Sequence, residues 1–190
     1  MDLSPWHRRA ALRALRGGRL IACPTEAVWG LSCDPHNALA VERLLALKKR
    51  PWEKGLILVA ASLEQLMPYI DIPSGKALKR ATLTWPGPAT WIFPATDFTP
   101  MWISGDHDGV AVRVTRHPVL LALCQAFGRP MVSTSANPAG REPARSAFEV
   151  RRYFEVGAEG EVDTLVPGAL SGLAKPTTIR DAATGHILRR

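Results

Sequence analysis

Residues 110–137 of the chain read VAVRVTRHPVLLALCQAFGRPMVSTSAN. The stretch opens with an apolar run at 110–114, passes through a segment of helical period at 117–127, and closes with a second apolar run at 130–134. Apolar runs rich in Val and Ile that alternate with helical segments are typical of α/β proteins. This stretch therefore predicts one strand–helix–strand unit of an α/β fold.

The same alternation continues on both sides of this unit. No internal repeat, low-complexity tract or long linker divides the sequence, so we predict a single domain over residues 1–190. The predicted helices, each preceded by a capping or proline residue, are 5–16, 37–48, 62–69, 74–84, 117–127 and 145–154. The predicted strands are 19–23, 28–33, 56–60, 89–95, 110–114, 130–134, 163–166, 176–180 and 186–189.

Two segments lack a regular pattern. Residues 94–109 contain Pro100 and a glycine-flanked turn near their end, and they predict a surface loop. Residues 138–145 follow a predicted strand and lead into a predicted helix. Loops in such positions often carry functional residues.

Composition is that of a globular protein. The 190 residues are 46% hydrophobic and 22% charged, which is sufficient to bury a core. No apolar run approaches the roughly 20 residues that cross a bilayer, so we expect a soluble protein without a membrane partner. Three cysteines without a C-x-x-C pair argue against a disulfide framework or a zinc ribbon, and a reducing cytoplasm fits them best.

The net charge of +7 favours polyanionic partners such as nucleotides or RNA. A basic protein without such a partner is an equally good interpretation of the charge alone. Five arginines occur in the first twenty residues, where a transit peptide is the alternative to a folded helix. Ser4 and Pro5 are good residues for a helix start, which favours the helix.

Common catalytic signatures are missing from the sequence. The spacing of a P-loop, the glycine pattern of a dinucleotide-binding fold and an H-E-x-x-H motif do not occur. The five histidines are far apart in sequence. Asp106, His107 and Asp108 could hold a metal ion, but a solvated turn is the better interpretation.

The densest group of polar side chains follows the predicted strand 130–134. Alternation along that strand places Ser133, Ser135 and Asn137 on one face, and Thr134 on the other. Hydroxyl and amide groups on one face can bind phosphate or carboxylate oxygens. An ordinary turn that opens a loop accounts for the same residues equally well.

Charged residues suggest further contacts. The cations of residues 48–50 end a predicted helix, where they could neutralise a polyphosphate or simply stabilise the helix dipole. Arg113 lies inside an apolar strand and therefore requires a partner or a ligand. Thr25 and Glu26 follow Pro24 in a turn that presents a hydroxyl and a carboxylate.

Taken in order, several of these segments resemble the YrdC/Sua5 family. Each segment is weak evidence by itself, whereas the ordered set, which spans about residues 19–189, is specific. The resemblance implies an α/β fold in which a twisted mixed sheet, flanked by helices and similar to YrdC and RibB, surrounds a concave basic cavity. The matching segments are 24–31, 48–51, 85–90, 110–114 with 117–118, and 133–137.

The resemblance also implies an activity. Members of the family are threonylcarbamoyl-AMP synthases, nucleotidyltransferases that convert L-threonine, bicarbonate and ATP into threonylcarbamoyl-adenylate and pyrophosphate. Mg²⁺ would accompany the ATP phosphates and need no ligand from protein side chains. The adenylate would pass to a tRNA-modifying complex that forms t6A at position 37 of tRNA.

The resemblance assigns roles to ten residues. Those expected to carry catalysis are Lys48 and Arg50. Those expected to bind ATP are Lys48, Arg50, Thr90, Ser135, Asn137 and Arg189. Those expected to bind threonine are Thr25, Arg113, Ser133 and Thr177.

The sequence departs from the family pattern at several positions. Ala27 and Trp29 stand where Thr and Tyr are common, and Gly55 stands where Pro is common. The His that usually follows soon after Gly55 is missing, which affects one expected threonine contact. The resemblance is to the short, TsaC-type form of the family, so we expect no further C-terminal domain of the Sua5 type.

Two alternative functions stay open at this point. One is a double-stranded RNA-binding or ribosome-maturation protein that uses the same basic concave surface. The other is a regulator that binds a small molecule in the same cavity without chemistry.

Overall fold

The structure, a computed structural model, describes residues 3–157, 161–174 and 177–189. Its helices in these ranges are α1 (Pro5–Arg16), α2 (Ala38–Lys48), α3 (Leu63–Leu66), α4 (Gly75–Thr82), α5 (Met101–Ser104), α6 (Pro118–Phe127) and α7 (Ala147–Tyr153), with 3-10 turns at Trp52–Lys54 and Met67–Tyr69. Its strands are β1 (Ile21–Pro24), β2 (Trp29–Ser32), β3 (Ile57–Ala60), β4 (Ala89–Pro94), β5 (Gly109–Val114), β6 (Met131–Ser135), β7 (Thr164–Leu165), β8 (Thr178–Asp181) and β9 (Ile187–Arg189).

The strands join into one sheet of order β7-β1-β2-β6-β3-β5-β4-β8-β9. β3 and β5 are parallel, with Val59 opposite Arg113, whereas β6 runs antiparallel to both β2 and β3. β4 is antiparallel to β5 and parallel to β8. Parallel and antiparallel pairs in one sheet confirm the predicted twisted mixed sheet flanked by helices.

Side chains that alternate along the strands build two cores. On one face Leu58 and Val132 belong to the larger core, which α2 and α4 also enter. On the other face Val59 and Met131 pack with α1 and α6. Ile57 and Ser133, which pair with each other, point to this second face, two residues along from Val59 and Met131. Ile57 and Ser133 are not covered by α1 and α6, so they can line a cavity.

Most predicted elements are present, with small shifts at their ends. The helix predicted at 62–69 becomes a 3-10 turn after Leu66, because Pro68 has no N–H for the α-helical hydrogen bond. The predicted strand 176–180 begins at a residue outside those described, and the strand itself is Thr178–Asp181. The single domain 1–190 also includes undescribed residues and stays a prediction.

The predicted surface loop 94–109 is wrong in its centre, where α5 forms. Pro100 precedes this short helix, and Ile103 within it is only 1% exposed. The N–H of Leu56 donates to the Ile103 carbonyl at 2.8 Å, which ties the helix to the start of β3. Four residues are too few to show a helical period, so the sequence pattern did not reveal this element.

Neither disulfides nor membrane helices contribute to the described part of the fold. All three cysteines have free thiols, and all three are buried. Among the described residues, no helix combines the length and the hydrophobicity that a membrane crossing requires.

Candidate active site

A cavity of about 450 Å³ lies on the sheet face that α1 and α6 leave uncovered. Its walls come from the turn after β1, the end of α2, the starts of β2 and β3, Arg113 in β5, the end of β6 and the loop that follows it. Nine of the ten predicted site residues line this one cavity. They are Thr25, Lys48, Arg50, Arg113, Ser133, Ser135, Asn137, Thr177 and Arg189.

Thr90 is the exception among the predicted site residues. Its side chain is fully buried in β4, and it is not one of the lining residues. Its hydroxyl lies 3.5 Å from the Thr177 hydroxyl, which does reach the cavity. β4 lies inside the sheet, between β5 and β8. In the structure Thr90 touches the site through Thr177, and its contact with ATP stays a prediction.

The end of α2 fixes the direction of the two predicted phosphate-binding cations. The helix ends at Lys48, and Lys49 adopts a left-handed conformation with φ of 49°. The N–H of Arg50 then donates to the Leu45 carbonyl at 2.9 Å, which turns the chain back over the last helical turn. Lys48 and Arg50 consequently project into the same cavity.

Lys48 joins α2 to the turn after β6. Its ammonium donates to the Ser135 carbonyl, to the Asn137 carbonyl at 2.9 Å and to Asn137 Oδ1 at 3.2 Å. Ser135 Oγ donates to the same Oδ1 at 2.6 Å. Lys48 and the serine–asparagine turn are therefore parts of one hydrogen-bonded unit. Because an ammonium has three hydrogens, these acceptors can occupy all of them.

Arg50 keeps more of its hydrogen-bonding capacity. One terminal nitrogen, Nη2, donates to the Gly55 carbonyl at 2.9 Å and to the Lys54 carbonyl at 3.3 Å. Its Nε is buried and makes no hydrogen bond with a described residue. The guanidinium is held from one side and can still meet an anion in the cavity.

Four cations in the cavity act on one another. Burial and the Arg50 charge lower the pKa of Lys48 to about 8. Burial and the Arg189 charge lower the pKa of Arg50, and burial and the Arg113 charge lower the pKa of Arg189. Like charges gathered in a partly buried space repel each other, so a bound anion stabilises the set.

Arg113 has the partner that its position in an apolar strand requires. Its Nη2 lies 3.4 Å from Glu26 Oε2, and its Nη1 donates to Thr177 Oγ1 at 2.9 Å. Glu26 is 1% exposed, and its other oxygen, Oε1, accepts a hydrogen bond from the Thr115 hydroxyl at 2.6 Å. The ion pair therefore orients the guanidinium at the floor of the cavity.

Thr25 and Ser133 meet around Gly30 in β2. A Cβ added at Gly30 would lie 3.1 Å from Thr25 Cγ2 and 3.8 Å from Ser133 Oγ. The Thr25 hydroxyl donates to the Val28 carbonyl at 2.7 Å, which leaves its lone pairs for a ligand. The missing side chain at Gly30 thus lets two hydroxyl residues converge.

The segment before β8 crosses the turn that carries Thr25 and Glu26. Ser171 N–H donates to the Thr25 carbonyl at 3.4 Å, and Leu173 N–H donates to the Glu26 carbonyl at 3.2 Å. His117, at the start of α6, donates from Nε2 to the Ala169 carbonyl at 2.9 Å. Burial lowers the pKa of this imidazole. These bonds fix the segment over the Glu26 side of the site.

The described residues contain no cluster of three or more His, Cys, Asp or Glu side chains that could hold a metal ion. Asp106, His107 and Asp108 form an exposed bend, in agreement with the interpretation as a turn. Glu26, the carboxylate nearest to the lining, is already paired with Arg113.

The sequence patterns missed part of the lining. Lys54 borders the cavity from the 3-10 turn Trp52–Lys54, and Gly140 borders it from the loop 138–145, which the sequence pattern shows only as an irregular segment. Thr134, expected on the opposite strand face, also borders it. At Glu26 the sequence pattern indicates only a turn. The available signal for that ion pair is an acid directly after an apolar strand, together with the arginine inside the apolar run 110–114.

Comparison with known proteins gives consistent results. A family model named Sua5_yciO_yrdC, described as telomere recombination, matches residues 13–190. A threonylcarbamoyl-AMP synthase of Halorhodospira halophila is 54% identical over 186 residues, which cover 98% of this chain and 95% of that protein. A protein of the same name from Escherichia coli O9:H4 is 51% identical over 183 residues, covering 95% and 94%.

Solved structures show the same fold. P. abyssi Sua5 complexed with L-threonine superimposes with a TM-score of 0.84 at 32% identity. The match covers 95% of this chain and 52% of that one, so the chain spans about half the length of that protein. E. coli YciO superimposes with a TM-score of 0.84 at 26% identity, covering 100% of this chain and 92% of that one.

Proposed function

The chain belongs to the Sua5/YciO/YrdC family, and from this premise we propose that it is a threonylcarbamoyl-AMP synthase. The substrates are L-threonine, bicarbonate and ATP. The observation that carries the proposal is the single cavity in which Lys48, Arg50, Arg113 and Arg189 gather beside hydroxyl and amide side chains. Such a site suits two anions, a triphosphate and a carbamate, that repel each other in water.

The reaction requires no covalent bond to the protein. The threonine amine attacks bicarbonate, a C–N bond forms, and water leaves as the carbamate is produced. A carbamate oxygen then attacks the α-phosphorus of ATP, the bond from that phosphorus to the bridging oxygen breaks, and pyrophosphate leaves. The protein contributes alignment of the two anions and positive charge, so the reaction needs no side chain to act as a nucleophile.

The contacts divide the cavity into two ends. Thr25, Ser133, Arg113 and Thr177 form a polar end in which the guanidinium is fixed by Glu26. We assign threonine to this end because the hydroxyl, amine and carboxylate groups of threonine all find hydrogen-bonding partners there.

The other end is assigned to ATP. Arg50, which bonds to the protein through Nη2, borders this end and supplies charge for the phosphates, and Arg189 adds charge from β9. Lys48, with Ser135 and Asn137, shapes the turn on which the nucleotide rests. Lys48 therefore contributes charge and also positions the turn.

Mg²⁺ enters this scheme as part of the nucleotide substrate. The lining contains cations and neutral polar groups but no carboxylate, so the protein offers the ion no ligand set of its own among the described residues. Screening of the triphosphate is the chemistry that the ion supplies when it arrives with ATP.

The same proposal covers partners and location. The adenylate is a substrate for enzymes that modify tRNA, so a tRNA-modifying complex is the expected recipient and the cytoplasm the expected compartment. Three buried, free thiols are in keeping with a reducing compartment.

One incubation tests the activity. Purified protein with ATP, Mg²⁺, threonine and bicarbonate should release pyrophosphate and yield the adenylate, identified by its mass. Arg50→Ala should lower the rate by about a hundredfold or more, because a cation at the transferring phosphates is removed. Lys76→Ala, which changes an exposed lysine outside the cavity, is the matched control and should leave the rate unchanged.

The alternatives predict different outcomes. A double-stranded RNA-binding or ribosome-maturation protein would bind RNA with strong salt dependence and release no pyrophosphate. A regulator would bind ATP and form no adenylate. Absence of threonine-dependent pyrophosphate release from folded protein would refute the synthase.

A further inference from the structure

A second cavity, of about 530 Å³, lies outside the candidate active site. It forms where α3 and the 3-10 turn after it meet the loop before α2, the loop before α5 and the end of α6. Among the described residues, none borders both cavities. We refer to this space as the aromatic cavity, because it is bordered by the rings of His36, Tyr69 and Phe98.

The three rings form one cluster. The His36 and Phe98 ring centres lie 4.9 Å apart, and the Tyr69 and Phe98 ring centres lie 5.2 Å apart. Tyr69 is only 2% exposed and its hydroxyl lies 2.7 Å from His36 Nε2, whereas Phe98 is 54% exposed. A phenyl ring that stays half in solvent beside two other rings gains free energy when a further ring covers it. The cluster therefore offers an aromatic wall to a ligand.

Hydrogen bonds fix the walls of the aromatic cavity. The Tyr69 carbonyl accepts from the Thr99 hydroxyl at 2.7 Å, which ties the 3-10 turn to the loop before α5. The Gln65 side chain accepts from the Ala61 N–H at 2.9 Å and donates to the Cys124 carbonyl at 3.0 Å. Because these walls are already fixed, little ordering of the protein is needed when a ligand binds.

A guanidinium borders the same cavity. Arg129 Nη1 lies 3.5 Å from Asp34 Oδ2, and the guanidinium carbon lies 4.9 Å from the centre of the Phe127 ring. Its Nη2 and Nε make no hydrogen bond with a residue in the described ranges. The two contacts hold the group in place, and the remaining donors suit a carboxylate.

Glu64 brings a negative charge to the aromatic cavity. A hydrogen bond with the Ser62 side chain lowers the pKa of the Glu64 carboxyl, so this group is ionised at neutral pH. A ligand that carries only negative charge is repelled by this carboxylate, whereas an ammonium group is attracted to it. The cavity therefore favours a ligand with both charges over a nucleotide or a simple anion.

An amino acid with an aromatic side chain carries all the groups that the cavity can bind. Its carboxylate matches Arg129, its ammonium matches Glu64, and its ring matches the aromatic wall. The volume of about 530 Å³ lies within the range of about 300–1,000 Å³ that small-molecule sites occupy. Size, charge and shape therefore agree on one class of ligand.

We propose that the aromatic cavity binds a free α-amino acid with an aromatic side chain, held between Arg129 and Glu64 with its ring against Phe98. This site is separate from the end of the first cavity that we assign to threonine. The proposal does not rest on the synthase activity, because its lining residues take no part in that scheme.

Isothermal titration calorimetry with L-phenylalanine tests the proposal. The titration is done in saturating L-threonine, which fills the first cavity under the proposed function. The parent protein should bind one L-phenylalanine per chain with a dissociation constant of about 1 mM or below. Phe98→Ala should weaken binding by about fivefold or more, and Arg129→Gln by about tenfold or more. The matched controls are Phe148→Ala and Arg151→Gln, which change an exposed ring and an exposed arginine on α7 and should leave the affinity unchanged.

Two ligand analogues test the match of charges. 3-Phenylpropanoate lacks the ammonium group and L-phenylalaninamide lacks the carboxylate, so each should bind about fivefold or more weakly than L-phenylalanine. Glu64→Gln should remove the preference for L-phenylalanine over 3-phenylpropanoate. Equal binding of these two ligands by the parent protein would overturn the assignment of an amino acid.

Folding and activity are measured on the same variants. Phe98→Ala and Arg129→Gln should retain the circular dichroism spectrum of the parent and its rate of adenylate synthesis, because neither residue borders the first cavity. Loss of L-phenylalanine binding is then distinguishable from misfolding and from failure of the synthase. The proposal is overturned if the parent shows no saturable binding of L-phenylalanine, or if both variants bind it as tightly as the parent.

Discussion

At the scale of single residues, the structure separates two cations that the sequence pattern treats as a pair. Lys48 donates to three acceptors on the turn after β6, whereas Arg50 retains a buried nitrogen without a bond to a described residue. Lys48 is therefore engaged with Ser135 and Asn137, whereas Arg50 bonds to the protein through Nη2. That either cation binds phosphate stays a prediction.

The pH dependence of activity should report on Lys48. Its pKa of about 8 in the folded protein lies below its ordinary value of 10.5, because burial and Arg50 disfavour the charged form. The ratio of parent to Lys48→Arg rates should therefore fall above about pH 8, because only the parent loses this charge. Adenylate formation measured from pH 7 to pH 10 tests this, and a constant ratio would contradict it.

Stability should move in the opposite direction over the same window. Between pH 8 and pH 10.5 the unfolded chain holds the Lys48 proton and the folded chain does not. The contribution of this group to the free energy of unfolding therefore rises with pH, from its minimum below pH 8. Urea unfolding of the parent and of Lys48→Met at pH 7.5 and 9.5 should show the parent gaining relative to the variant.

Removal of the Glu26 carboxylate should damage both stability and threonine binding. Glu26→Gln leaves the buried Arg113 without its ion-pair partner and should lower the free energy of unfolding by about 3 kcal/mol. The KM for threonine should rise because the guanidinium loses its orientation. Urea unfolding and threonine-dependent pyrophosphate release provide the two measurements.

The control for Glu26 is a double variant. Glu26→Gln with Arg113→Met removes both charges, so it should unfold at a higher urea concentration than Glu26→Gln alone. Equal instability of the two variants would mean that the ion pair is not the cause.

At the scale of elements, α5 supports the site although it does not border the cavity. Gly105 ends α5 with φ of +70°, and a Cβ there would meet the Glu53 carbonyl and lie 2.5 Å from Gly55 N. The Gly55 carbonyl in turn accepts from Arg50 at 2.9 Å. These contacts therefore couple α5 and the 3-10 turn Trp52–Lys54 to the position of Arg50.

Gly105→Ala should reduce activity through these contacts. The new methyl group forces residues 53–55 to shift and displaces Arg50, so kcat/KM should fall by about tenfold or more. Gly128→Ala is the matched control, because Gly128 also has a positive φ, +81°, and has no atom within 4 Å of the added Cβ. Both variants bear the strain of a positive φ, and a similar activity loss in both would contradict the role of α5.

At the scale of the whole molecule, the cavity is bordered both by internal strands of the sheet and by an edge strand. β2, β3, β5 and β6 are internal strands, whereas β9 is an exposed edge strand that carries Arg189 into the lining. A ligand in the cavity would therefore contact both the internal strands and the edge strand β9.

Hydrogen exchange should detect this link. Amides of β9 should exchange faster than those of β3 in the free protein, and saturating ATP with Mg²⁺ should slow the β9 amides by about tenfold. Mass spectrometry of peptides that cover 185–189 and 57–60 measures both strands. Exchange in β9 that is unchanged by ATP, while the cavity residues become protected, would remove Arg189 from the nucleotide site.

The sequence by itself determined the class of fold and the position of most elements. Ser4 and Pro5 at the start of α1 and the proline at the start of α6 are local signals that act within a few residues. The ordered motifs also marked nine residues that line the cavity. Local propensity and motif order were sufficient for these features because neither depends on how distant segments pack.

Only the tertiary structure decided which partners those residues have. The pairing of Arg113 with Glu26, the three acceptors of Lys48 and the burial of Thr90 behind Thr177 all join segments far apart in sequence. Such contacts depend on strand register, and a shift of one residue would turn Arg113 to the opposite face of the sheet. Register is set by the packing of both cores together, which no single stretch of the chain contains.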